Sequence, residues 1–313
     1  VEVGRRSLFG VHSAALNQIA LLKNGNESFA VRVHLLEKAQ RSIRIQALIF
    51  SGDESGLHIA EILKRKKAEG LDVRVIVDAA ANLGWQTQWM YFDLKQHGIE
   101  VQGYESLYLE WINEVPIPSL SPVKDPEAPN HRYHEKMWIV DGETVQGAAV
   151  VGGLNIANAY FRVDPSDPNH FWRDQDVVVK GPIVSDMVTA FDRNFDHFLK
   201  IKESRGVMNT DRYWQATREF LDKFGKLPVS YTTNADLVDR VKSMARMKPA
   251  LNYVNARGRF FHSRPRLGES YIQQAYMKLL DNAEREIVIC NAYFIPSADF
   301  IEAVRDAARR GVR

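Results

Sequence analysis

The sequence predicts an α/β fold: a mixed β-sheet flanked by helices in a layered sandwich, built as two similar halves with the second one truncated. Three observations lead there. Short apolar strands alternate with amphipathic helices over most of the chain. A helix–strand–helix pattern from the first fifty residues returns after residue 266. Asp141-Gly142, a strong hairpin signal, adds an antiparallel pair to strands otherwise linked through helices.

The repeat comes first. NGNESFAVRVHLLEKAQRSIRIQALIF (Asn24 to Phe50) and RLGESYIQQAYMKLLDNAEREIVICNAYF (Arg266 to Phe294) share Glu-Ser-aromatic, then a helical pattern ending in Leu-Leu. Ala39 and Arg41 then match Ala283 and Arg285, and alternating strands carry Ile43 and Ile45 against Ile287 and Ile289. Further helices over Gly56–Glu69 and Ala298–Arg310 each stop at a glycine, Gly70 or Gly311, the usual left-handed position past a helix end. Val73-Arg74 and Val312-Arg313 follow. The expectation is a longer duplicated protein, with a first half over 1–205, a helical connecting segment over 206–255, and the start of a second half over 256–313.

Between the copies the pattern predicts a strand (Val73–Asp78), a helix (Gln86–His97), a strand (Ile99–Tyr104), a Pro-rich loop (Pro116–Pro129), a strand opening at His134, its antiparallel return (Val145–Val151), a strand (Val177–Val179) and a helix (Ser185–Lys200).

Composition narrows the function classes. Hydrophobic residues make up 45% and charged residues 26% of 313, the balance of a globular protein with a real core. The net charge of +2 argues against nucleic acid as partner by bulk electrostatics. One cysteine, Cys290, excludes a disulfide framework within the chain and disfavours a cysteine metal site. No apolar run has the length of a membrane span.

The stretch YHEKMWIVDGETVQGAAVVGGLN (Tyr133 to Asn155) carries the chemistry. On a strand, His134 and Lys136 project to one face, and Glu135, Met137 and Ile139 to the other. The hairpin returns Gly152, Gly153 and Asn155 beside His134. Glycines there are expected to let a backbone or substrate approach. Lys136 and Asn155 suit an oxygen-rich anion such as phosphate, and His134 suits a nucleophile or an acid–base group. Reading His131 and His134 as metal ligands lacks a third ligand at sensible spacing, so no metal and no cofactor is expected.

H-x-K-x4-D (His134, Lys136, Asp141) followed by G-G-x-N (Gly152, Gly153, Asn155) resembles the phospholipase D superfamily. NGNESF, VGGLNIANAYF, WRDQDVVVKGP and CNAYFIPSADFIEAVRDAARRGVR resemble its bacterial cardiolipin synthase branch. The resemblance implies a two-half enzyme in which each half supplies one motif to a shared site. It implies metal-free chemistry through a phosphohistidine, one histidine attacking phosphorus and the other serving the alcohols. Asp174 matches the acid that orients the histidine, with Asp176 as second choice; Asp141, in the turn, reads as more structural than chemical. His134 is assigned as nucleophile, although the histidine of either half suits that role. A second motif is absent from the chain, since His262 is followed by Ser-Arg. A missing second half or a dimer partner is therefore expected to complete the site.

The implied substrate is an anionic phospholipid such as phosphatidylglycerol, with transfer to an alcohol or hydrolysis by water both open. The implied location is peripheral to the bacterial inner membrane, on either side. Tyr104, Leu107, Tyr108 and Trp111 recur at helical spacing before the motif and read equally as a bilayer contact or a core helix, as do Trp85 and Trp89. Lys64–Lys67 (KRKK) reads as a solvated helix face. The rival readings are a nuclease of the same superfamily and a catalytically inactive lipid-binding scaffold.

Overall fold

The structure, a computed structural model, describes residues 16–78, 80–103, 134–166, 171–205, 219, 223, 231–264, 268–291 and 293–313. These fall into two compact units, one running to Gly258 and one from Arg259. The Pro-rich loop 116–129 and the segment with Leu107 and Trp111 lie outside the described residues.

The larger unit is organised by an eight-stranded mixed sheet, counted among the described residues, in the order β4-β3-β2-β5-β6-β7-β1-β8. The strands are β1 (Leu16–Leu22), β2 (Ser42–Ala47), β3 (Asp72–Val77), β4 (Glu100–Gln102), β5 (Met137–Val140), β6 (Ala148–Gly152), β7 (Asp176–Lys180) and β8 (Val254–Arg257). β2, β3 and β4 are parallel, and every other pairing is antiparallel. The β2–β3 and β3–β4 crossovers are helical: α2 (Glu54–Ala68) and α3 (Trp85–Gln96). Parallel neighbours need such crossovers, whereas β5 and β6 need only a turn. That turn starts at Asp141, whose φ of +50° is a conformation Asp tolerates better than most residues.

Helix α1 (Gly25–Lys38) opens with the Asn24 side chain accepting from Glu27 N–H at 3.0 Å, while the Glu27 carboxylate accepts from Lys23 N–H at 2.8 Å. It buries Phe29, Val33 and Leu36 on one face of the sheet. Alternation along the strands separates the two faces. Ile43, Ile45, Trp138 and Val150 point towards α1, where the Arg32 guanidinium lies 4.5 Å from the Trp138 ring centroid. Arg44 and Gln46 point the other way and bond to Asp192 and Asn194 on α5 (Ile183–Arg205), at 2.9 and 3.2 Å. Two short helices complete this unit, α4 (Asn158–Phe161) and α6 (Ala235–Ala245). The stretch read as a helical connector thus contains α6 and then the first half of strand β8, which pairs with β1. Lys66, expected on a solvated face, is buried and donates to Ala39 O and Glu69.

The smaller unit contains α7 (Tyr271–Asp281) and α8 (Ala298–Arg309). Its backbone bonds repeat those of the first copy. Ala39 N–H donates to Leu36 O as Ala283 N–H does to Leu280 O. The Asp53 side chain caps α2 at Gly56 N–H, and the Ser297 side chain caps α8 at Phe300 N–H. Leu71 N–H reaches Lys66 O, and Val312 N–H reaches Ala307 O. Asp72 N–H donates to Arg41 O, and Arg313 N–H donates to Arg285 O, both at 3.0 Å. These bonds correct the sequence register by two residues, because Arg313 stands where Asp72 does, not Arg74. The expected strand with Ile287 and Ile289 is not formed among the described residues. There Ile287 N–H finds Arg313 O, whereas β2 is held on both sides by β3 and β5.

Candidate active site

The ladder brings Gly152 and Asp176 together at one end of the central strands, next to the start of β5. Trp138, Val150 and Val178 are cross-strand neighbours, and Gly152 pairs with Asp176. Two residues back from Trp138 on the same face stands Lys136, so Lys136, Gly152 and Asp176 fall in one row on the α1 side. His134 and Asp174 lie before the starts of β5 and β7, and the charge of Asp174 acts on His134. β5 itself begins only at Met137, later than the sequence suggested. Past Ala47 the β2 chain turns to residue 156 instead: Ile156 N–H donates to Ile49 O and Ser51 N–H to Ile156 O, at 3.0 and 2.8 Å. His134 to Lys136 are left outside the ladder.

His134 is exposed and Lys136 is buried. The Lys136 ammonium donates to the His134 carbonyl oxygen at 2.8 Å. Burial lowers the Lys136 pKa to about 8, against the opposing pull of Asp174, Asp176 and Glu135. Partial desolvation, followed by the charge of Lys136, lowers the His134 pKa below its ordinary value; Asp174 and Asp78 act in the opposite sense. The imidazole is therefore neutral at pH 7, as a nitrogen nucleophile must be. Asn155 is buried, and its Oδ1 accepts from Ile49 N–H at 3.1 Å, which orients the amide with Nδ2 as its donor.

Gly152 and Gly153 serve a different purpose from the one expected. A Cβ on Gly153 would overlap the Asp174 carboxylate, and one on Gly152 would overlap that of Asp176. The missing side chains make room for two acids of the protein itself. Of those acids, Asp174 faces His134. Asp176 is fully buried and committed elsewhere: it accepts from Arg32 Nη2 at 2.6 Å, from Ser28 Oγ, and from Leu154 N–H at 3.3 Å.

Asp141 stands apart from this group, at the opposite end of β5. Its carboxylate accepts from the backbone N–H groups of Gln40, Arg41 and Ser42, at 3.0, 2.7 and 3.0 Å. It fastens the β5–β6 turn to the start of β2, and its lone pairs are occupied by that task. These bonds support the reading of Asp141 as structural rather than chemical. Sequence reasoning also passed over three buried residues. Ser28 and Arg32 reach Asp176, and Asp78, at the end of β3, presents a second carboxylate to the field at His134. The signals were present: an Arg inside the apolar stripe of α1, and an Asp closing the run VRVIVD.

The family profile described as "Cardiolipin synthase, PLD-like domain" matches residues 33–199, just over half of the chain. The chain belongs to this family. Among curated relatives of this cardiolipin synthase-type domain, the cardiolipin synthase of Geobacillus thermodenitrificans is 26% identical over 97% of the chain and 49% of its own length. The cardiolipin synthase of Halalkalibacterium halodurans is 28% identical over 93% of the chain and 47% of its own length. The chain therefore spans about half the length of the curated relatives it matches. Among solved structures, the phosphatidylserine synthase of Haemophilus influenzae superposes with a TM-score of 0.56 at 15% identity, covering 100% of this chain and 65% of that one. That likeness supports the fold of the domain.

Proposed function

We propose that this chain carries one half of a phospholipid phosphodiester-transfer site working through a phosphohistidine. The observation that supports the reading is that exposed His134, buried Lys136 and Asp174 act on one another by their charges, at one end of the central strands. His134 attacks phosphorus and the phosphorus–oxygen bond to the leaving alcohol breaks. Lys136 and the Asn155 amide donate to the phosphoryl oxygens, where charge spreads in the transition state. Asp174 favours the imidazole tautomer that leaves the attacking nitrogen free. An incoming alcohol, or water, then releases the phosphatidyl group from His134.

The relatives named cardiolipin synthase and phosphatidylserine synthase support an anionic phospholipid, such as phosphatidylglycerol, as substrate. In this reading a second motif, from further polypeptide or a dimer partner, supplies the group that protonates the leaving alcohol. In this reading the domain meets the membrane at its surface. No described helix is long and apolar enough to cross one. Exposed Leu83, Trp85 and Trp172 are suited to its surface. The test is incubation with phosphatidylglycerol vesicles and, in parallel, single-stranded DNA. Release or transfer of a phosphatidyl group that depends on His134 supports the reading. Cleavage of DNA alone assigns the site to a nuclease.

A further inference from the structure

The α1 side of the sheet buries a polar assembly that the transfer chemistry does not use. Arg32 and Asp176 are both fully buried and form an ion pair at 2.6 Å. The guanidinium is held by hydrogen bonds from two of its nitrogens and by an aromatic ring. Nε donates to Ser28 Oγ at 3.0 Å, Nη2 donates to Leu154 O at 3.3 Å as well as to Asp176, and the guanidinium carbon lies over the Trp138 ring. Nη1 is buried without a hydrogen-bond partner. Asp176 binds the same turn from its other oxygen, through Leu154 N–H. Arg32 and Asp176 thus grip both the N–H and the C=O of Leu154, the residue between Gly153 and Asn155. Across the row from Asp176, with only Gly152 between, stands Lys136.

A buried ion pair is rarely retained for stability alone, because desolvating two charges offsets most of their attraction. We propose that Arg32 and Asp176 are positioning residues of the site, holding the Gly152–Asn155 turn in place and setting the charge state of Lys136 through their opposed charges. The inference rests on the reading of Lys136 as the phosphate-binding cation. The titratable groups around Lys136 are Asp174, Asp176 and Glu135, which favour its protonated form, Arg32, which opposes it, and His134, which is neutral where Lys136 titrates. Removing one member of the pair leaves the other uncompensated. Arg32→Gln strengthens the hold of Asp176 on the Lys136 proton. Asp176→Asn leaves Arg32 as an unopposed cation. The two partners of one salt bridge therefore shift Lys136 in opposite directions, which loss of packing does not do.

The experiment is competitive acetylation of Lys136 across pH in the folded protein without substrate, read by peptide mass spectrometry, with thermal unfolding as the check on folding. The wild-type midpoint is expected at about 8. It is expected to rise by about one pH unit in Arg32→Gln, to fall by about one unit in Asp176→Asn, and to stay near the wild-type value in Arg32→Lys. Equal midpoints, or shifts of the same sign, overturn the proposal. If one variant fails to fold, the sign of the other against Arg32→Lys decides. Binding of inorganic phosphate, measured separately on the wild type and Lys136→Met, tests the reading beneath it. Loss of phosphate binding with unmoved midpoints defeats only the Arg32–Asp176 proposal, whereas moved midpoints with phosphate binding indifferent to Lys136 defeat the site reading.

Discussion

The ammonium of Lys136 lies 2.8 Å from the carbonyl oxygen of His134, so the cation folds back onto the backbone of the residue it serves. The proposed nucleophile and the proposed phosphate ligand are thereby linked by a hydrogen bond as well as by sequence. Both need the right charge state at one pH: imidazole neutral, ammonium protonated.

Activity is therefore expected to follow a bell. The rate rises as His134 deprotonates, at a pH below the ordinary histidine value because burial and Lys136 lower its pKa. It falls as Lys136 loses its proton at about 8. A pH–rate profile with kcat/KM still rising through pH 9 contradicts this assignment.

Lys136 also costs stability. Its folded pKa lies below the unfolded 10.5, so the unfolded chain binds more protons between about 8 and 10.5. Stability is expected to rise with pH across that window, and the cost is present in full below it. Lys136→Met is expected to lose activity and gain on the order of 2 kcal/mol at pH 7. Urea unfolding at pH 7 and pH 10 checks both statements; a destabilised variant at pH 7 counts against them.

Gly153→Ala pushes a methyl group into the Asp174 carboxylate. Displacing the acid that faces His134 is expected to reduce kcat by about a hundredfold, with KM little changed. Full activity in this variant means that Asp174 does not orient the imidazole.

Asp141→Ala removes the acceptor for three backbone N–H groups at the start of β2. A loss of about 1–3 kcal/mol in stability is expected, with the folded fraction retaining its rate constants. A specific loss of kcat at unchanged stability would return Asp141 to the chemistry.

Local signals account for what could be read from the chain. The Asp141-Gly142 turn follows from turn chemistry and matches the ladder, whereas the strand alternation expected of His134 and Lys136 falls on residues that precede β5. Asp174 came from resemblance. What escaped was set by contacts between distant residues. Arg32 and Asp176 are 144 positions apart, and Asp141 is 100 positions from the Arg41 N–H it caps. No period or spacing encodes such a pairing. The glycines were seen as spaces, but what fills a space is decided by the neighbouring strand. The second copy shows the same limit: its strand pattern is legible, yet β2 forms because β3 and β5 hold it.

The most direct measurement is rapid acid-free quenching of the protein with radiolabelled phosphatidylglycerol, in the assembly that turns it over, followed by peptide mapping. A phosphatidyl group on His134, absent in His134→Asn and retained longer when the acceptor alcohol is omitted, is the predicted result. Turnover that persists in His134→Asn, with no adduct in the wild type, contradicts the account.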